Sequence, residues 1–356
     1  MDNKENLIKL ADEVLKNYTI SPENISVIQS GTIKTVWKVK AKEGMLCLKR
    51  LKHTYDKALF SVNAQNYIKE SGGNVPSVIK DKRGQLIVQH KDQLFVLYEW
   101  LHGKNLNFSN SSDLQAALRG LAKFHICSKG YRAPENSRIS SKLNKWPEQY
   151  DSMKTRLTDW KEISKNISLP YHNAYLKHID SVIEICNLAS DHLSTSDYVR
   201  LVSPESKSPV LCHQDFGNGN AILTEMGVYV IDLDGITYDL PARDLRKIIG
   251  KQAENRNQWS IENINNVIEC YSGVNHMSDA DTDLLYIDLL YPHWFFGLVK
   301  NLFQNNKPLK PSEIERIAKL EQSKVDLLVS LLKKTKVTSK QKKGFTSIPA
   351  KKEGSR

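Results

Sequence analysis

Between Leu211 and Asp234 the chain sets apolar β-formers around closely spaced polar groups. The run is Leu211-Cys-His-Gln-Asp-Phe-Gly-Asn-Gly-Asn-Ala-Ile-Leu223, followed by Val228-Tyr-Val-Ile-Asp-Leu-Asp234. It predicts strand, polar turn, strand, turn and strand, with Asp215, Asn220 and Asp232 displayed where the backbone turns. Asp232 ends a β-branched and aromatic run, so a carboxylate is presented at the tip of a strand, and Asp234 falls on the same face two residues on. Carboxylates and an amide are the hard oxygen donors that hold Mg²⁺. A lone H-x-D is an ordinary turn former. H-x-D-x-x-x-x-N with an Ile-Asp strand one hairpin later is far more demanding.

The five-residue spacing of Asp215 and Asn220 resembles the kinase catalytic loop, where the Asp orients the acceptor hydroxyl and the Asn helps to hold Mg²⁺. More narrowly, the segment is similar to the catalytic core of the aminoglycoside phosphotransferase and choline kinase-like superfamily, whose members read H-G-D-x-x-x-x-N and then I-D-x-[DE]. Gln214 stands at the usual Gly, which alters backbone freedom but removes no ligand. The resemblance runs from about Ser30 to about Leu332. Within that superfamily, Leu46-Cys-Leu-Lys-Arg50, Lys142-Leu-Asn-Lys-Trp-Pro147 and Tyr291-Pro-His-Trp-Phe295 resemble the CotS-type spore coat proteins, the Lys-Leu-x-x-Trp-Pro stretch being the most distinctive.

The resemblance implies an α+β, two-lobed protein kinase-like fold with a small β-rich N-lobe and a larger helical C-lobe, binding Mg²⁺ and ATP. It implies Asp215 as the catalytic residue and Asn220, Asp232 and Asp234 as metal ligands. Lys49, in a strand eighteen residues after Gly31, is implied to grip the nucleotide phosphates. Gly31 and Lys34 occupy the phosphate-loop position, although Ser30-Gly-Thr-Ile-Lys34 has one glycine where many relatives have two, and Lys34 where they have Asn. Glu99 and Trp100 fit the hinge that meets adenine. His213 braces the catalytic turn, and Asp244 is the structural Asp that starts the next helix. The cluster from Tyr291 to Phe295 is read either as acceptor-pocket lining or as core packing.

One departure stands out. The helix that should supply a glutamate to Lys49 has Asp56 as its sole acid between His53 and Lys69. Two readings of function therefore stay open: an ATP-dependent phosphotransferase acting on the alcohol group of an unknown small molecule, and a catalytically inactive structural component of the spore coat. Either would be made in the mother-cell cytoplasm, deposited on the spore and partnered by other coat proteins.

Alternating and helical apolar spacings divide the chain into a β-rich region with a leading helix (1–100), a helical region carrying the catalytic hairpins (101–332) and a basic tail (333–356), the last expected to be disordered. Long helices are expected at Trp146–Lys161, Tyr171–Leu193 and Asp279–Gln304, and a helix led in by Ser112 and Asp113 over Ser112–Cys127. The tail holds nine Lys or Arg against Glu353, so it supplies +8 of the chain's +11. That basic signal accompanies no reading helix, so specific nucleic-acid binding is not expected. Apolar content of 40% suits a globule, and no apolar run is long enough to insert in a membrane. Met1-Asp-Asn-Lys-Glu-Asn-Leu7 lacks an apolar h-region, so secretion is not expected. The five cysteines form no C-x-x-C pair and read as free thiols.

Overall fold

The computed structural model describes residues 4–30 and 34–333. Gly31 and the basic tail beyond 333 lie outside the described residues. The chain divides into two compact units. The first comprises Met1–Leu143, Pro209–Asp244 and Glu269–His276, and the second comprises Asn144–Ser208, Leu245–Ile268 and Met277–Arg356. The segment that carries Asp215, Asn220 and Asp232 thus belongs to the same unit as the β-rich N-terminal region.

The first unit opens with α1 (Lys4–Leu15), then β1 (Pro22–Ser30), β2 (Thr35–Ala41), β3 (Gly44–Leu51), α2 (Tyr55–Glu70), β4 (Val78–Ile79), β5 (Val88–His90), β6 (Gln93–Glu99), β7 (Lys104–Asn105) and α3 (Ser111–Ser128). An antiparallel sheet runs in the order β1-β2-β3-β6-β4, with β5 also paired to β6. The period-2 alternation of β3 sorts its side chains between two cores. Leu46 and Leu48 join the cluster under α1, with Leu7, Ala11, Val14 and Leu15 against Trp37 and Phe95. Cys47 and Leu51 join the cluster against α2, with Ala58, Val62, Val96 and Tyr98. Lys49 shares their parity, so its stem points to the α2 side of the sheet.

After residue 208 the first unit resumes with β8 (Val210–Cys212), β9 (Ala221–Thr224), β10 (Gly227–Val230) and β11 (Thr237–Asp239). β9 pairs with both β10 and β7, and β11 pairs with β8. Helix α3 packs against β10 and β8. Its N-cap is Asn110, whose Oδ1 accepts from the Asp113 N–H at 3.1 Å, two residues before the expected start at Ser112.

The second unit is helical: α4 (Trp146–Lys165), α5 (Pro170–Ser194), α6 (Tyr198–Leu201), most of α7 (Ala242–Arg256) and of α8 (Ile261–Ser272), then α9 (Asp279–Leu290), α10 (His293–Asn305) and α11 (Pro311–Ser323). The single helix expected over Asp279–Gln304 is broken at Pro292, which has no N–H to donate and whose ring crowds the preceding turn. The break exposes two N–H groups at the start of α10. Glu321 Oε1 accepts both, from Trp294 at 2.9 Å and from Phe295 at 3.1 Å. Tyr291 and Phe295 are fully buried and stack on Tyr150 and Tyr175, so for these two the core-packing reading holds.

Candidate active site

The site is built where β3, the β9–β10 hairpin and the turn after β8 converge. Leaving β8, the chain enters a turn that the fold grips by its backbone. The carboxylate of Asp244, in the first turn of α7, accepts the His213 N–H at 2.6 Å and the Gln214 N–H at 2.8 Å. His125 Nε2 lies 3.1 Å from the same carboxylate, and its Nδ1 lies 2.7 Å from the Tyr271 hydroxyl. Burial alone would raise the Asp244 pKa, but the bond from His125 and the groups of His213 hold it below the usual carboxylate range. Gln214 sits at φ +71°, the left-handed conformation that explains a glycine in relatives. Its Oε1 accepts from Arg243 Nε at 3.2 Å.

Beyond that grip the turn organises itself. The Asp215 N–H donates to His213 Nδ1 at 3.2 Å, and His213 Nε2 donates to the Ile231 carbonyl at 2.8 Å. The imidazole thus spans the turn after β8 and the chain just past β10. Asn220 Nδ2 donates to the Asp215 carbonyl at 3.0 Å, and the Asn220 carbonyl accepts the Ile231 N–H at 3.1 Å. One residue past Ile231, Asp232 adopts φ +63°, ψ +57°, and Asp234 follows on a 3₁₀ turn over Leu233–Gly235. Asp232 and Asp234 therefore do not share a strand face, as the alternation predicted, because β10 ends at Val230. The left-handed residue turns the chain so that both carboxylates still reach one ammonium group.

That ammonium is Lys49. Its Nζ lies 2.7 Å from Asp232 Oδ1 and 2.7 Å from Asp234 Oδ1. Lys34 Nζ closes on Asp232 from the other side, 2.9 Å from Oδ2 and 3.1 Å from Oδ1. Burial works against charge on Lys49, yet the charges of Asp234 and Asp232 lift its pKa above the usual lysine value. Burial would likewise raise Asp232, but Lys49 and Lys34 pull it well below the carboxylate range. The partner expected from α2 does not appear among the described residues. Asp56 is engaged by Thr54, and Glu70 accepts from Asn66.

These groups end a cleft of about 320 Å³ lined by Lys34, Lys49, Asn220 and Asp232 at the polar side and by Val36, Cys47, Ile222, Ile231 and Leu233 elsewhere. Glu99, Trp100 and Leu101 line it as well. The Glu99 carboxylate is held by Ser77 Oγ at 3.0 Å and Lys69 Nζ at 3.3 Å, and the Trp100 ring carries Lys38 Nζ 4.6 Å from its centroid. Asp215 stands exposed on its turn and does not line the cleft. The donor set fits a divalent cation: two carboxylates and an amide supply hard oxygens, and the two carboxylates already gather two positive charges.

Residues 24–263 match the APH phosphotransferase enzyme family. The chain belongs to that family. It is 24% identical over 353 residues to spore coat protein S of Bacillus subtilis (strain 168), covering 94% of this chain and 98% of the relative. Among solved structures, an aminoglycoside phosphotransferase from Alicyclobacillus acidocaldarius superposes with a TM-score of 0.72 at 15% identity, covering 91% of this chain and 96% of that one. An amicoumacin kinase in complex with AMP-PNP, Ca²⁺ and Ami gives 0.58 at 15% identity, over 90% of this chain and 94% of that one. The fold is therefore the kinase-like fold of the family, with a β-sheet N-terminal region and a helical C-terminal region, as the resemblance implied. Sequence reading named Lys34, Lys49, Asp232 and Asp234 separately. It missed that they form one ion-paired set, and it missed Gln65, which lines the cleft beside the hinge stretch Tyr98-Glu-Trp-Leu101.

Proposed function

We propose that this family member binds Mg·ATP in the cleft and transfers the γ-phosphoryl group to the hydroxyl of a small molecule. The observation that carries this reading is the convergence of Lys34 and Lys49 on Asp232 and Asp234, beside the turn that ties Asp215 to Asn220. In this reading Asp232, Asn220 and Asp234 hold the metal, which when bound neutralises charge on the phosphates. Lys49 and Lys34 grip the phosphate oxygens. Trp100 and Glu99 flank the base. Asp215, exposed on a turn braced by His213, orients the attacking hydroxyl and takes its proton. Only residues 236–241 connect the 3₁₀ turn to α7, and β11 occupies half of them. That leaves no long segment to cradle a polypeptide, which favours a small acceptor.

The similarity to spore coat protein S supports deposition on the spore after synthesis in the mother-cell cytoplasm, with other coat proteins as partners. A second reading, a structural coat component without turnover, is favoured by α2's failure to supply Lys49 with an acid. Calorimetric titration with Mg·AMP-PNP, followed by ATP consumption across a panel of small alcohols, separates the two. The phosphotransferase reading expects binding to the parent and to Asp215→Ala, with turnover lowered by about 10²–10⁴ in the latter. An Asp215→Ala variant that consumes ATP at the parental rate with the same acceptor would remove Asp215 from its role. Binding with no turnover on any acceptor would leave the structural reading.

A further inference from the structure

We infer that Lys34 makes the cleft admit its divalent ion together with the nucleotide and not alone. This rests on the phosphotransferase reading above and adds a selection step to it. Lys34 enters β2 with its Nζ 2.9 and 3.1 Å from the two oxygens of Asp232 and 4.0 Å from Asp234 Oδ2. Lys49 lies 2.7 Å from Oδ1 of each carboxylate and shares Asp232 Oδ1 with Lys34. Two carboxylates thus face two ammonium groups and their formal charges cancel.

A bare dication approaching this set meets no net negative charge. To reach Asp232 it must displace Lys34, and it then leaves two ammonium groups facing a third cation, a repulsion that a partly desolvated cleft does not screen. A polyphosphate changes the balance. Its anionic oxygens give both lysines new partners as the carboxylates pass to the ion. Lys34 is the group able to make that exchange: its side chain is 29% exposed on a flexible four-carbon stem, whereas that of Lys49 is 9% exposed. An uncharged amide at this position would not compete for Asp232 as an ammonium does. Lys34 is thus a specificity-determining residue, favouring metal–nucleotide over free metal.

The test uses Mn²⁺ as the metal probe, with free Mn²⁺ counted by electron paramagnetic resonance, on the full chain without and with AMP-PNP. Exposed or half-exposed ion pairs contribute on the order of 1 kcal/mol, so Lys34→Met should bind Mn²⁺ alone about three- to tenfold tighter than the parent. The same variant should bind Mn·AMP-PNP more weakly, and Lys34→Arg should behave like the parent in both titrations. Asp232→Asn should lose the Mn²⁺ site in either background, which locates the ion being counted. Unchanged Mn²⁺ affinity in Lys34→Met, with normal Mn·AMP-PNP binding by the parent, overturns the inference and leaves the phosphotransferase reading standing. No Mn·AMP-PNP binding by the parent overturns that reading, and the role of Lys34 with it.

Discussion

Asp244 touches no cleft residue through its side chain, yet it sets the position of the groups that do. Its carboxylate satisfies the His213 and Gln214 N–H groups and meets His125; the His213 and His125 contacts are buried and the Gln214 contact is part-buried. Asp244→Ala strands the buried His213 N–H, the part-buried Gln214 N–H and a buried imidazole, so a loss of about 3–5 kcal/mol is expected, read from urea unfolding at pH 7. The pH dependence follows from the sign of the shift. The folded-state pKa is depressed, so this contribution is present above the unfolded value of about 3.9 and is lost as pH falls through the folded value. The gap between parent and variant should therefore narrow as unfolding is repeated below about pH 4. A gap that stays constant to pH 3 would show that the carboxylate's charge is not what stabilises the turn. At this scale the sequence was most legible where partners are local. His213, expected as a brace of its turn, accepts the N–H of Asp215 two residues on. Lys34 on Asp232 spans 198 positions, and no period or motif reports such a pair.

Among the elements, the β9–β10 hairpin positions Asn220 on one flank and Asp232 on the other, and its placement depends on a glycine before β7. A methyl at Gly103 would run into the Leu223 carbonyl and would meet Ile222 Cγ2 at 2.7 Å, so β7 approaches β9 only because no side chain intervenes. The neighbouring residue Lys104 pairs with Leu223, and β9 begins one residue after Asn220. Gly103→Ala should cost about 1–3 kcal/mol, because the obstacle is largely backbone and cannot rotate away. It should also weaken Mg·AMP-PNP binding, since moving β9 moves Asn220. Wild-type stability in denaturant titration would mean that the hairpin position is set elsewhere. Many elements were readable from apolar period: of the positions Leu7, Ile8, Ala11, Val14 and Leu15 that set the period of α1, all are buried but Ile8, which is half-buried. What period could not supply was the break at Pro292, because the apolar pattern continues through it while the backbone hydrogen bonds do not.

For the molecule as a whole, the apolar and charge patterns led to an α+β chain with a basic tail, and the narrower fold came from the motif and its relatives. The described residues contain no helix long and apolar enough to cross a membrane. Of the +11 formal charge, all but about +3 comes from residues 333–356. The cleft's charge balance is thus a local arrangement of Lys34, Lys49, Asp232 and Asp234 and not a reflection of overall basicity. The central claim, that these four residues form a Mg·ATP site, is tested most directly by thermal unfolding of the full chain with and without Mg·ATP, beside Asp232→Ala. At about 100 times its dissociation constant, a ligand bound only by the native state adds roughly 2.7 kcal/mol. The account predicts a magnesium-dependent rise in the parent's midpoint that Asp232→Ala does not show. No rise at saturating nucleotide, or an equal rise in the variant, would contradict it.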